Sequence, residues 1–272
     1  MTISHAMALT GAALFLLAGG CASSDHDANT SYLHVQEAGW RPLFNGRDLT
    51  GWTPKFAGCE AGENPLDTFI VRDGHLAVSY ENYAEFGNLF GHLFCDESFE
   101  APYDLRMDYR FLERQVEAGP GWGFKNSGVM LHGQPIESMG KDQYFPISIE
   151  AQFLGGDGTG SRPTGNVCTP GTTVDINGVP EARHCVNSTS PTFHGEEWVH
   201  VLIEVRRNVI RHYINGEMVM EYTSPRLDES DANAAAWIEA RAGNTRLTGG
   251  TISLQAESHP IEFRNIEVRM GR

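Results

Sequence analysis

The sequence predicts an all-β chain folded as a sandwich of two antiparallel sheets, and three observations carry that prediction. Asp104 to Phe111 alternates without a break, with Leu105, Met107, Tyr109 and Phe111 opposed to Asp104, Arg106, Asp108 and Arg110, as a half-buried strand requires. The run VHVLIEVRRNVIRHYINGEMVMEY holds two hairpins, one turning near Arg207-Asn208 and one at Asn215-Gly216, where Asn-Gly supplies the positive φ angles of a type I′ turn. Helical periodicity is confined to Ser230 to Ala240, where it predicts one short helix. Many short strands with glycine-rich turns and almost no helix leave sheet packed on sheet.

The C-terminal run GGTISLQAESHPIEFRNIEVRM adds two strands, and Pro260 between them interrupts the ladder. Alternation slips between Phe263 and Ile266, which predicts a bulge near Asn265. His212, between Ile210 and Ile214 on an apolar face, is expected to be a buried, hydrogen-bonded core histidine.

The N-terminus, MTISHAMALTGAALFLLAGGC, is an apolar run too short to span a bilayer and ends in small residues, the pattern of an export signal over residues 1–21. Cys21 sits where a lipobox places its lipidated thiol, although Ala18 stands where leucine is usual and no Lys or Arg precedes the apolar run. The expectation is an exported protein, periplasmic or an outer-membrane lipoprotein, touching the membrane through a lipid on Cys21 alone, with simple secretion as the alternative. Residues 22–39 read as a polar tether and 40–270 as one β-sandwich domain.

Export changes how the remaining cysteines read. Cys59, Cys95, Cys168 and Cys185 form an even set suited to disulfides in an oxidising compartment. Of the three pairings, Cys59 with Cys95 and Cys168 with Cys185 is favoured, because the second pair brackets the loop-like CTPGTTVDINGVPEARHC. A zinc site is disfavoured by the absence of CxxC spacing. In the 272-residue chain the formal charge of −15 argues against a nucleic-acid surface.

Alternation also gathers polar side chains. Asn126, Gly128, Met130 and His132 share one face of NSGVMLHG; Ser148, Glu150 and Gln152 share one face of ISIEAQF; Ser253, Gln255, Glu257 and His259 share one face of ISLQAESH. Each face is compatible with plain solvation. Together, with few lysines or threonines and with Trp122, Tyr144 and Phe145 nearby, they suggest a concave cleft of sugar size.

The segments LFNGRDLTGW, NSGVMLHG, SIEAQFLGG, VIRHYINGE and SLQAESHPIEFRNIEV, in that order between Trp40 and Arg269, resemble the 3-keto-disaccharide hydrolase domain. The resemblance implies a concanavalin A-like jelly roll and a sugar substrate oxidised at C3. It carries substrate contacts or catalysis onto Asn126, Glu150, Gln152, Gln255 and His259. Two departures are visible: His132 stands where many relatives have arginine, and LQAESH is longer than the usual LQxH.

The chemistry fits that implication. Retaining glucanases of this fold place acids in an E-x-D-x-x-E strand, whereas the equivalent positions here are Glu150, Gln152 and Gly155, so Glu150 has no evident carboxylate partner. A C3 ketone acidifies the hydrogen on C2, and one base then suffices to start an elimination. Glu150 or His259 is the candidate base, with His132 also among the catalytic candidates; Asn126, Gln152, Gln255 and Trp122 are candidates for binding the sugar. No cofactor is required, and a divalent metal held by Glu150 with His132 or His259 remains an alternative. The competing reading is a carbohydrate-binding module without catalysis.

Overall fold

The computed structural model describes residues 39–112 and 114–271. The segment expected to be an export signal, the expected lipidation at Cys21 and the expected tether up to residue 38 lie outside the described residues. Among the described residues no helix is long and apolar enough to cross a membrane.

Two antiparallel sheets form a jelly-roll sandwich, of ten and seven strands among the described residues. The larger is centred on Tyr103–Phe111, which pairs with Val199–Val205 on one side and Ile261–Met270 on the other. The smaller runs Cys185–Val186, Asn166–Cys168, Ile149–Leu154, Asn126–Gly133, Gly249–Ala256, Gly91–Glu100 and Trp52–Phe56. Both hairpins turn where the sequence places them, with Asn215 at φ 50° and Gly216 at φ 89°. The bulge falls at Asn265, where the register with Tyr103–Phe111 shifts between Arg264 and Glu267. The helix is Ala232–Ala240, capped by the Asp231 carboxylate accepting from the amides of Asn233 and Ala234.

The core lies between the sheets. Leu105, Met107 and Tyr109 from one sheet meet Val129, Leu131, Ala151 and Phe153 from the other, all buried. The Tyr109 and Phe153 rings stack with centroids 4.5 Å apart, joining the two layers. His212 is buried as expected, its Nδ1 2.9 Å from the Gly165 carbonyl and its Nε2 3.0 Å from the Tyr222 hydroxyl. The polar outer face of Tyr103–Phe111 is laced with ion pairs. Asp104 accepts from Arg206 and Arg269 at 2.7 and 2.6 Å, and Asp108 from His200 and Arg264 at 2.8 and 3.0 Å.

The cysteines divide. Cys168 and Cys185 face each other in register on adjacent strands and are bonded, as expected. The expected Cys59–Cys95 bond is corrected, since both are free thiols. Strand geometry gives the reason. Cys95 lies opposite Trp52, whereas Cys59 sits in the turn beyond Phe56, which pairs with Gly91. Four residues of strand separate the two levels by about 13 Å, and a disulfide requires α-carbons within roughly 7 Å. Non-reduced, denatured protein spanning residues 40–270 is therefore expected to titrate two thiols, with buried Cys95 reacting only on unfolding. Finding none would restore the pairing.

Candidate functional site

The outer face of the seven-stranded sheet carries the polar residues in cross-strand rows. One row reads Cys168, Glu150, Met130, Ser253, Phe94 and Thr53. The next has Asn166 beside Gln152, Gln152 beside Gly128, and then Gln255 beside His92 and His92 beside Lys55. The register of Leu254 opposite Val129 brings Gln255 level with Gly128 and closes this second row. Strand alternation thus puts Glu150, Gln152 and Gln255 on one surface, as the sequence suggests.

That surface is roofed. The turn Gly121–Gly123 and the segment 134–147 bring Trp122, Tyr144 and Phe145 over it, where they meet Phe90. Trp122 stacks on Phe90 at 5.7 Å, while Tyr144 and Phe145 approach it at 5.1 and 5.3 Å. Gln134 ties the roof together by accepting from Gln143 and from the amide of Ile147, both at 2.8 Å. Buried Lys55 holds its far end, donating to the carbonyls of Phe56, Cys59 and Lys141 at 2.8, 3.0 and 2.9 Å.

Between roof and sheet opens a cavity of about 530 Å³ whose walls include Trp122, Asn126, Phe145, Glu150, Gln152, Arg162, the Cys168–Cys185 disulfide and Glu257. Glu150 and Glu257 dominate its electrostatics. Burial pushes the Glu150 carboxyl up to about 8. Burial, and then the charge of Glu150, hold Glu257 well above the ordinary carboxylate range. Glu150 Oε1, Glu257 Oε2 and Asn126 Oδ1 are buried, with no protein hydrogen-bond partner among the described residues. Gly128 makes room for the first of these, since a β-carbon there would stand 2.6 Å from Glu150 Oε1. Arg162 is the cation of the cavity. Its guanidinium is fixed by the carbonyls of Lys125, Gly155 and Trp122 at 3.0, 2.5 and 3.4 Å, and among the described residues it makes no ion pair.

Four of the seven sequence candidates, Glu150, Asn126, Gln152 and Trp122, line this cavity; Gln255, His132 and His259 are not among its walls. Gln255 is buried within the row, between Gly128 and His92, and its Oε1 has no partner among the described residues. His132 is displaced by a bulge. Its φ is 51°, and the register with Gly249–Ala256 shifts between Thr251 and Ser253, which ends the alternation that places it with Asn126. For His259 the cause is Ser258, whose φ of 86° turns the chain after Glu257. The imidazole then packs between Phe111 and Phe124, with Nε2 2.7 Å from the Leu112 carbonyl. Glu150 therefore has as neighbour not a histidine but a second carboxyl, which corrects the expectation that it lacks one. The pairs named for a divalent metal, Glu150 with His132 or His259, do not line one cavity, and among the described residues no group of three or more His, Cys, Asp or Glu side chains is placed to hold an ion.

Sequence reasoning missed Arg162 and the place of Glu257 beside Glu150 in the cavity wall. Arg162 lies in a segment without periodicity, so no pattern pointed to it. Glu257 was visible as the continuation of the Ser253, Gln255 face.

Burial also lowers the four fully buried imidazoles, His92 to about 3 and His132, His212 and His259 to about 4, from an ordinary value of 6.5, and it lowers partly covered His75 as well. Groups with depressed folded-state values take up protons on unfolding, so the stability they contribute is lost as pH falls from 6.5 toward 4. The two raised carboxyls act oppositely, releasing protons on unfolding above their ordinary 4.5. Four imidazoles outweigh two carboxyls below pH 6.5, and above it only the carboxyls act. Urea midpoints are thus expected to peak near pH 6.5 and fall on both sides. A midpoint unchanged between pH 5 and 6.5 would contradict the burial of these histidines.

Comparison with known proteins follows the same lines. A crystal structure of a candidate glycosyl hydrolase from Parabacteroides distasonis ATCC 8503 superposes with a TM-score of 0.50 at 19% identity, over 86% of this chain and 94% of that one. It shares the fold. The carbohydrate-binding module CBM66 from Bacillus subtilis matches at 0.46 and 10% identity, over 80% and 95% of the two chains. The β-glucanase of Bacillus licheniformis matches at 0.45 and 12%, over 86% and 97%. No curated protein sequence matches the chain. The model of the 3-keto-alpha-glucoside-1,2-lyase-like domain matches residues 39–269, the jelly roll with its carboxyl pair included, and the chain belongs to that family.

Proposed function

We propose that this protein cleaves glycosides oxidised at C3, by removing the C2 hydrogen and expelling the C1 substituent. The observation that carries the reading is the buried pair Glu150 and Glu257, both shifted upward at one cavity. A retaining glycosidase needs one carboxylate permanently ionised as nucleophile. Here neither carboxyl has a cation in ion-pair contact among the described residues, and burial favours the neutral form of both. A carboxylate with its value near 8 is instead a base matched to a hydrogen activated by an adjacent ketone.

The steps balance without a further reactant except water. Glu150 as carboxylate takes the C2 proton, and the C2–H electron pair forms a C2–C3 double bond while the C3 oxygen becomes an enolate. Arg162, the fixed cation of the cavity, offsets that negative charge. Collapse of the enolate restores the C3 carbonyl, makes a C1–C2 double bond and breaks the C1–O bond. Glu257, which holds its proton more tightly than an ordinary carboxyl, delivers it to the departing oxygen. Water then adds across C1–C2, or the unsaturated ketone is released. Trp122 and Phe145 offer apolar faces to the sugar ring, and Asn126 and Gln152 offer hydrogen bonds to its hydroxyls.

The test is turnover of 3-keto-trehalose and 3-keto-sucrose beside their unoxidised parents, with and without EDTA. Sugar release from the keto substrates alone is expected, at the same rate in EDTA, with a primary isotope effect when C2 carries deuterium. Binding without release would favour a carbohydrate-binding module. Equal cleavage of oxidised and unoxidised sugars would make the pair an ordinary glycosidase.

A further inference from the structure

Beside the carboxyl cavity lies a second and larger one, of about 770 Å³. The two share Phe145, Pro170 and His184 as walls. The geometry points to this second cavity as the seat of the leaving group, and to a substrate whose leaving group is an uncharged or amino-bearing saccharide longer than one sugar unit. The inference rests on the cleavage proposed above and adds where the departing half lies and what it is.

Size and position come first. A bond broken at Glu150 and Glu257 leaves the departing chain only the width of the Phe145 and His184 walls to cross before it enters the second space. That space exceeds the first, so it takes more than the ring that the first cavity holds. Its chemistry is polar, with Gln143, Thr173 and Asn233 among its walls. Such groups suit a polyhydroxylated chain and do not suit an alkyl or aryl aglycone.

Charge narrows the class further. Four carboxylates line the cavity, Asp142, Glu181, Asp228 and Asp231, against the single guanidinium of Arg183. Arg183 is already spent on Glu181, through contacts of 2.9 and 2.7 Å. Asp228 and Asp231 use one oxygen each to close local turns, and neither is paired with a cation among the described residues. The remaining field is negative and repels a uronate, sulfate or phosphate on the leaving group.

The experiment compares 3-keto-glucosides with methyl, glucosyl and maltosyl leaving groups, and an aldonate-terminated form of the last. It uses wild type and the double variant Asp142→Ala, Asn233→Ala. Both positions are exposed, lie outside the carboxyl cavity and make no side-chain hydrogen bond among the described residues, so activity on the methyl glycoside should be unchanged. In wild type, kcat/KM is expected to rise at least tenfold from methyl to maltosyl, mainly through KM. The double variant should lose most of that gain, and the aldonate should be at least tenfold poorer than maltosyl at low salt, with the gap narrowing as salt rises. Turnover of the methyl compound with no gain along the series, or an equal loss on all substrates in the double variant, would overturn the subsite and leave the proposed cleavage standing. An aldonate used as well as its neutral parent would overturn the charge assignment. Turnover of none of the four would remove the cleavage and the subsite with it.

Discussion

Glu150→Gln is expected to abolish turnover and to make the protein more stable. Glutamine keeps the shape of the side chain and removes the base, so the loss in kcat should reach the ~10²–10⁴ typical of acid–base groups. The gain in stability follows from burial. The carboxyl has a folded-state value of about 8 against an ordinary 4.5, so its favourable contribution is complete below pH 4.5 and is lost as pH rises toward 8. An amide at this position does not titrate. At pH 8 the variant should exceed wild type by on the order of 3 kcal/mol, and at pH 4 the two should be nearly equal, as read from urea unfolding. The same value predicts that wild-type kcat/KM climbs with pH up to about 8, because only the ionised carboxyl is a base. A variant that is inactive but gains no more over wild type at pH 8 than at pH 4 would mean that the carboxyl is not buried as described.

Gly128→Ala should be nearly as damaging to catalysis while removing no titratable group. The new β-carbon would lie 2.6 Å from Glu150 Oε1, 2.8 Å from its Cγ and 3.0 Å from the Ala151 carbonyl. The carboxyl can swing away but the backbone carbonyl cannot, so the cost is divided between a displaced base and a strained sheet. A displacement of about 1 Å at a reacting group lowers the rate by roughly 10², and overpacking costs about 1–3 kcal/mol. The expected signature is a fall in kcat with KM little changed. Wild-type kcat in a folded Gly128→Ala protein would show that Glu150 does not act from the position seen here.

Periodicity carried the sheet faces but not what happens where strands bend. Glu150, Gln152 and Asn126 were legible because their strands run straight through the cavity, and period two is then sufficient. His132 and His259 failed for one reason in two places: a residue with positive φ resets the phase, at His132 itself and at Ser258. The slip at Asn265 was visible only because apolar residues flank it on both sides. Arg162 had no pattern to reveal it, since its position depends on the nearby Gly155 carbonyl together with those of Trp122 and Lys125 in a segment distant along the chain. The cysteines show the same division. Cys168 and Cys185 flank a local excursion and were paired correctly, whereas Cys59 and Cys95 required knowledge of which residues of two strands lie level.

The stacking of Trp122 on Phe90 gives the protein an optical reporter at the mouth of its cavity. The chain has five tryptophans, and Trp122, with 54% of its surface accessible, is the exposed one; Trp40 and Trp52 are buried, and Trp198 and Trp237 are partly covered. A sugar ring laid against the indole excludes water from it and shifts its emission to the blue, while the other four indoles stay constant and drop out of the difference between wild type and Trp122→Phe. Occupancy of the cavity is therefore measurable by fluorescence in the catalytically dead Glu150→Gln protein, without a label and before any bond is broken.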